Sequence, residues 1–268
     1  MLRVKLSVVY ALVLIAAAIG LAGCSTAVVD KTVSMSPNAI YSDAKDSMDN
    51  GQYDKAIPLL EKLEARAAGT PLAQQAQLDK AYAHYKTQEP AQAISTLDRF
   101  MKLHPASPAL DYALYLKGII NFNDDLGMFS AISRQDLSER DQKASKEAFE
   151  SFKELVTRFP DSRYAVDAAQ RMNYIVSSLA QYEVHVARYY YKRGAYLAAV
   201  NRAQSALADY RDVPALEEAV FLIYKSYAAL GMTQLRDDAK RVLETSYPQS
   251  EFLTKGEKTK SEPWWKVW

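Results

Sequence analysis

The chain has very few of the residues that usually mark a catalytic or metal site. Its 268 residues include one cysteine and three histidines, which excludes a disulfide within the chain and a cysteine-rich zinc site. The histidines, His84, His104 and His185, lie far apart in the sequence. The sequence also lacks a glycine-rich phosphate loop, a His-x₃-His pair and a Gly-x-Ser-x-Gly elbow. It therefore predicts neither catalytic residues nor a metal site.

Glycine is scarce as well, and neither sign of charge is in excess. Nine glycines and ten prolines are few for this length, and together with many Ala, Leu, Gln and Lys residues they favour helices over a turn-rich β fold. Lys and Arg total 33 against 32 Asp and Glu, so the net charge of +1 gives no reason to expect a nucleic-acid partner. Apolar residues make up 49% of the chain and charged residues 24%, as in a folded domain.

The first 24 residues have the pattern of a secretion signal. Two basic residues precede an apolar run from Leu6 to Leu21, which is short for the ~20 residues of a membrane span. Leu21-Ala22-Gly23-Cys24 matches a bacterial lipobox, in which the cysteine is acylated after cleavage. We therefore predict a cleaved signal peptide at 1–23 and a lipid on Cys24, the only non-protein group expected, which anchors the protein in the outer membrane. Ser25 supports this location, because an Asp there commonly retains lipoproteins in the inner membrane.

A tether and a folded region follow the cysteine. Residues 24–36 have no apolar periodicity, which predicts a flexible tether. Ser36-Pro37 predicts the first helix start, since Ser caps a helix and Pro suits its first position. The same kind of pair recurs at Thr70-Pro71 and Ser107-Pro108.

One local pattern, an alanine followed four residues later by Leu or Phe, recurs along the folded region. The copies are Ala56/Leu60, Ala93/Leu97, Ala148/Phe152 and Ala239/Leu243, with a weaker copy at Ala199/Ala203. This spacing places both side chains on one helix face, as in the second helix of a tetratricopeptide repeat. We predict an all-α superhelix of five helix pairs, about ten helices, over residues 37–252, and a Trp-rich tail at 253–268. The pattern leaves open whether Arg163 to Lys192 form one helix or two.

The 18 tyrosines provide the candidate binding residues. Tyr82 and Tyr85 continue an apolar stripe with helical spacing, and Tyr112 continues a second one. Most such tyrosines belong to the core, and the rest line a concave groove that grips extended peptides. The sequence does not show which of Tyr82, Tyr85 and Tyr112 belong to the core and which line the groove.

Several longer strings resemble one family. They are Leu78–Lys86, Leu103–Pro105, Asp111–Gly118, Val186–Tyr190 with Lys192–Tyr196, the loop Asp136–Asp141 and the tail Pro263–Trp268. With the lipobox and the repeats, these strings are similar to the BamD/ComL family, lipoproteins of the outer-membrane β-barrel assembly machine.

The resemblance implies a non-enzymatic scaffold on the periplasmic face of the outer membrane. Its implied partners are the last POTRA domain of a BamA-type protein, smaller assembly lipoproteins, and unfolded β-barrel proteins recognised by the N-terminal repeats. Arg188, Arg193 and Arg202 lie in the region that the resemblance assigns to the BamA contact, and we take them as candidate interface residues.

Two other functions stay open at this point. One is a tetratricopeptide lipoprotein that serves as an adaptor for peptidoglycan enzymes or proteases, which differs from the first hypothesis only in its partner. The other is a cell-wall hydrolase built on a helical superhelix, which requires a carboxylic acid desolvated in a cleft.

Overall fold

The computed structural model describes residues 31–122 and 142–252, and these ranges contain ten α-helices and no strand. The helices are α1 (Pro37–Asp49), α2 (Tyr53–Arg66), α3 (Pro71–Lys86), α4 (Pro90–Leu103), α5 (Leu110–Phe122), α6 (Gln142–Arg158), α7 (Ala165–Lys192), α8 (Tyr196–Asp209), α9 (Ala215–Ala229) and α10 (Thr233–Ser246). Each helix packs against the next one in the chain. The predicted all-α class with five helix pairs is confirmed.

The helix starts follow the capping rules at two of the three predicted places. Ser36 Oγ accepts a hydrogen bond from the Ala39 amide, and Thr70 Oγ1 accepts one from the Ala73 amide. Both helices have proline in the first turn. The third prediction is off by two residues, because Ser107 Oγ instead accepts from the Ala109 amide and α5 begins only at Leu110.

The repeated alanines mark the packed face of every second helix. All five alanines of the pattern and their partners four residues later are buried, and they lie on α2, α4, α6, α8 and α10. A small side chain lets the facing helix approach, and the larger partner fills the space beside it. The core is therefore a series of apolar clusters between successive helices.

Residues 165–192 form one continuous helix, which answers the question that the sequence left open. The 28 residues of α7 contain no glycine or proline and span ~42 Å at 1.5 Å per residue. Because of this length, α7 packs against α6, α8 and α9. It joins the two halves of the helix array.

Helices α5 and α6 approach each other closely at Gly118. A Cβ atom placed on Gly118 of α5 would lie 2.4 Å from Phe152 Cε1. Phe152 is fully buried, and its ring packs beside the rings of Tyr115 and Phe122. Only glycine leaves room for this ring.

The end of the predicted tether is packed rather than flexible. Lys31–Ser34 form a 3₁₀ turn in which Thr32 is buried. Arg66 of α2 donates hydrogen bonds to the backbone carbonyls of Thr32 and Met35. The bonds from this guanidinium fix the turn against the first helix pair, an interaction that the local sequence does not reveal.

Within residues 31–122 and 142–252, no helix combines the length and the apolar character needed to cross a membrane. Cys24, the loop 136–141 and the tail 253–268 lie outside the described residues.

Candidate functional site

The predicted groove tyrosines lie on α3 and α5 and share one apolar cluster. Tyr82, Tyr85 and Tyr112 are all half-buried against the core between these helices. The Tyr82 ring lies 6.4 Å from the Tyr85 ring and 6.0 Å from the Tyr53 ring of α2. One edge of each tyrosine ring therefore packs in the core, and the other edge faces solvent.

A second aromatic group continues the row toward α7. The Tyr164 ring, directly before α7, lies 5.8 Å from Tyr112 and stacks on Tyr115 at 4.6 Å. The Arg163 guanidinium lies over the Tyr164 ring at 4.7 Å. The hydroxyl of Tyr115 donates to Asp167 Oδ2 at 2.8 Å. Ring contacts thus connect α5 with the turn before α7, and Tyr112 shares the apolar cluster of Tyr82 and Tyr85 on α3.

A groove of about 510 Å³ runs between these helices. We call it the tyrosine groove, and it is lined by Gln75, Leu78, Asp79, Pro108, Ala109, Asp111, Tyr112, Arg163 and Tyr164. Of the three predicted residues, Tyr112 lines the groove itself. Tyr82 and Tyr85 are not among its lining residues and pack in the same cluster as Tyr112.

Two carboxylates in the groove are held by hydrogen bonds from neighbouring helices. The buried Asp79 accepts from the Tyr41 hydroxyl of α1 and from the Gln75 amide, both at 3.0 Å. Asp111 accepts from the Ser162 hydroxyl at 2.7 Å. These bonds tie α1 to α3 and α5 to the turn before α7, and so support the walls of the groove.

The tyrosine hydroxyls near these carboxylates remain protonated. Burial, assisted by the charge of Asp79 and the hydrogen bond to it, raises the pKa of Tyr41 to about 12. Burial, and then the charges of Asp79 and neighbouring tyrosines, raise the pKa of Tyr112 well above its ordinary value, although Arg163 opposes the shift. The Tyr41 hydroxyl already donates to Asp79, whereas the protonated hydroxyl of Tyr112, which lines the groove, can donate to a backbone carbonyl group of an extended peptide.

The three candidate interface arginines all make contacts within the chain. Arg188 of α7 forms a two-bond ion pair with Glu218 of α9, at 2.5 and 2.7 Å. Arg202 of α8 donates to Glu183 of α7 at 2.9 Å. The structure does not bring these arginines into one cluster, since each pairs with a different acidic or aromatic neighbour.

Arg193 and Arg202 retain access to solvent. Arg193 follows α7, with its guanidinium 5.3 Å from the Tyr189 ring. Arg202 borders a shallow cleft of about 300 Å³ that Tyr190, Ala198, Asn201 and Ser205 also line. The cleft offers a surface beside the arginine that a partner can enter.

The sequence predicted only Tyr112 among the residues that line the tyrosine groove, and it missed the charged residues Asp79, Asp111 and Arg163 as well as Tyr164. Asp79 precedes Tyr82 by three residues and therefore lies on the same helix face, which was a usable signal. Arg163 and Tyr164 reach the groove because the turn before α7 folds back on α5, and no local pattern encodes that contact. Among the described residues, no group of three or more His, Cys, Asp or Glu side chains is arranged to hold a metal ion.

The chain is similar to known proteins over nearly its full length. Residues 33–243 match the family model YfiO, described as an outer membrane lipoprotein. A relative from Neisseria meningitidis serogroup A is 43% identical over 263 residues, covering 96% of this chain and 98% of the relative. A Neisseria gonorrhoeae relative is 44% identical, covering 88% and 89%, and a Vibrio cholerae relative is 33% identical, covering 83% and 92%. All three relatives are named outer membrane protein assembly factor BamD.

Proposed function

Because the chain belongs to the BamD (YfiO) family of outer-membrane lipoproteins, we propose that it is a non-enzymatic scaffold for assembly of outer-membrane proteins. The family resemblance seen in the sequence is confirmed by relatives that match most of the chain. Their shared name, assembly factor, places this function ahead of the peptidoglycan-enzyme adaptor.

An aromatic groove favours a binding function over hydrolysis. Within the described residues, hydrogen bonds and ion pairs hold the pKa of Glu64 and of Asp167 below its ordinary value, although burial opposes the shift. A glycoside hydrolase needs the opposite shift in its general acid, so neither of these two carboxyl groups suits that role. The groove, in contrast, offers aromatic rings and a hydrogen-bond donor, as a peptide site requires.

We propose that the tyrosine groove receives the C-terminal segment of an unfolded β-barrel protein. The observation that carries this assignment is the pair of half-buried rings, Tyr112 and Tyr164, that line a groove with a hydroxyl donor and an exposed guanidinium. An extended segment with alternating aromatic side chains can place its rings on this surface and a carbonyl group toward the hydroxyl. The Arg163 guanidinium can pair with a terminal carboxylate.

Binding of a fluorescent peptide tests this site. The peptide carries alternating aromatic residues and a free carboxylate, and a scrambled peptide of equal composition serves as the ligand control. Tyr112→Leu, which removes the ring and hydroxyl but keeps apolar volume, should weaken binding about tenfold, since aromatic contacts often supply more than 1.4 kcal/mol. Tyr189→Leu is the matched protein control, because Tyr189 is an exposed tyrosine that does not line the groove.

The melting temperature of each variant must be measured with its affinity, because Tyr112 also packs in the core. Arg163→Gln provides a variant at an exposed residue. It should weaken binding of the peptide with a free carboxylate more than binding of its amidated form. Equal binding by wild type, Tyr112→Leu and Arg163→Gln would place the peptide site elsewhere on the molecule.

The other interactions follow from membership of the family. We propose that Cys24 carries the lipid that anchors the protein to the periplasmic face of the outer membrane. We further propose that the C-terminal helix pairs bind a BamA-type POTRA domain and smaller assembly lipoproteins. The cleft beside Arg202, with Arg193 nearby in sequence, supports this side of the molecule as the POTRA contact.

A further inference from the structure

The last helix carries an exposed apolar row. Met232 at the start of α10 and Leu235 and Val242 within it are 44%, 45% and 49% exposed. Leu235 lies three residues after Met232 and seven before Val242, which places these three side chains on one face of the helix, beside the buried repeat residue Ala239. We call this row the outer stripe. A run of exposed apolar side chains on one face marks a surface that another segment covers.

The position of Val242 is covered in two of the four inner repeats. Val242 stands three residues after the repeat alanine of α10. The equivalent residues Thr96 in α4 and Ser151 in α6 are only 9% and 6% exposed, whereas Leu59 in α2 is half-buried and Arg202 in α8 is exposed. Both α4 and α6 are followed by another helix pair, whereas the described chain ends six residues after α10. Within the described residues, no helix pair follows α10 to cover the outer stripe.

The chain turns back toward the array after α10. An identical backbone hydrogen bond, from a serine amide to the carbonyl three residues earlier, closes three turns, at Ser107–His104, Ser162–Phe159 and Ser250–Tyr247. The first two turns lead into the first helix of the next pair. After the third, Phe252 is buried, with its ring 5.0 Å from Phe221 of α9. The last described residue, Phe252, therefore contacts the last helix pair.

The remaining sequence has the length and composition to reach the outer stripe. Residues 254–263 are polar and, fully extended, can span ~33 Å, whereas the 14 residues of α10 span ~21 Å. They are followed by Trp264, Trp265, Val267 and Trp268. Tryptophan side chains gain most from leaving water, and the polar spacer offers them no apolar surface. We propose that residues 264–268 dock on the outer stripe and cap the helix array within the same chain.

Tryptophan fluorescence tests this proposal directly, because the three tryptophans of the protein are all in the tail. The chain from residue 24 onward, with Cys24→Ser so that it carries no lipid, is compared with a synthetic peptide of residues 253–268. Docked tryptophans should emit at shorter wavelength than the peptide and should be quenched less by acrylamide. Leu235→Lys/Val242→Lys should shift the emission and the quenching to those of the peptide.

A matched variant separates docking from a general effect of added charge. Leu103→Lys/Val166→Lys makes the same two changes at exposed apolar residues outside α10 and should leave the emission unchanged. If the α10 double variant loses helicity, the nearly isosteric Val242→Thr replaces it and should increase quenching. Peptide-like emission in the wild type, an unchanged emission in the α10 variants, or an emission that depends on protein concentration, as for docking on a second copy, would each overturn the proposal.

Discussion

Substitution of Gly118 by alanine is a sensitive test of the contact between α5 and α6. The added Cβ would lie 2.4, 2.6 and 2.8 Å from three atoms of the Phe152 ring, whereas carbon atoms normally pack at ~3.5–4.0 Å. The ring cannot simply move away, because it is fully buried and has the rings of Tyr115 and Phe122 about 6 Å from its centre. The two helices must therefore separate, or the ring must leave its preferred rotamer.

Two opposing effects set the magnitude. Alanine is favoured over glycine within a helix by about 0.8–1.0 kcal/mol. Overpacking of a tight core costs ~1–3 kcal/mol, and a clash with three ring atoms belongs at the upper end of that range. We expect Gly118→Ala to lower the free energy of unfolding by ~1–2 kcal/mol. For a protein of this size, each kcal/mol lowers the melting temperature by ~2–4 °C.

Urea unfolding followed by circular dichroism measures this change, and a second substitution identifies its cause. Phe152→Leu removes part of the ring that Cβ meets, so it should cost less stability in the Gly118→Ala background than in the wild type. If Gly118→Ala proves as stable as the wild type, or if the two substitutions are additive, the close contact is not what keeps residue 118 a glycine.

The repeat architecture could be predicted because its signal is local. An alanine and a larger apolar residue four positions apart share a helix face, and each repeat must bury that face against its neighbour. Four of the five copies of this pattern are clear in the sequence, and the two residues of every copy are buried in the structure. The continuity of α7 was not predictable in the same way, because helix length depends on its contacts with α6, α8 and α9.

The tyrosine groove could be predicted only in part, since residue type does not distinguish core from surface for a tyrosine. Tyr82 and Tyr112 do both, with rings against apolar neighbours and hydroxyls among polar groups. Asp79 and Arg163 enter the groove from segments 84 residues apart, so their proximity depends on the packing of α3, α5 and α7.

The arginines illustrate a second limit of the sequence. Arg188 and Glu218 are 30 residues apart, and Arg202 and Glu183 are 19 apart. With 32 acidic residues in the chain, charge alone cannot select these partners. The interface role of the arginines remains a prediction, and its test must remove the internal ion pair first.

Two further predictions concern buried acids. Glu64 accepts hydrogen bonds from Lys80 and Gln77 and an ion pair from Arg99, and although burial opposes ionisation, these groups hold its pKa below the ordinary 4.5. Its contribution to stability should be complete above pH 4.5 and decline as the pH falls below that value, so Glu64→Gln should flatten the acid limb of the urea midpoint against pH; an unchanged limb would refute the argument. Arg202→Ala leaves Glu183, whose side chain is only 12% exposed, without its ion-pair partner, and should lower both stability and affinity for the POTRA domain. Adding Glu183→Gln removes the stranded charge, so stability should recover. If the partner contacts Arg202 itself, affinity should stay about tenfold weaker, ~1.4 kcal/mol, in the double variant. Recovery of POTRA binding together with stability would instead show that Arg202 acts only as the counter-charge of Glu183, and the contact surface would then lie away from the cleft beside α8.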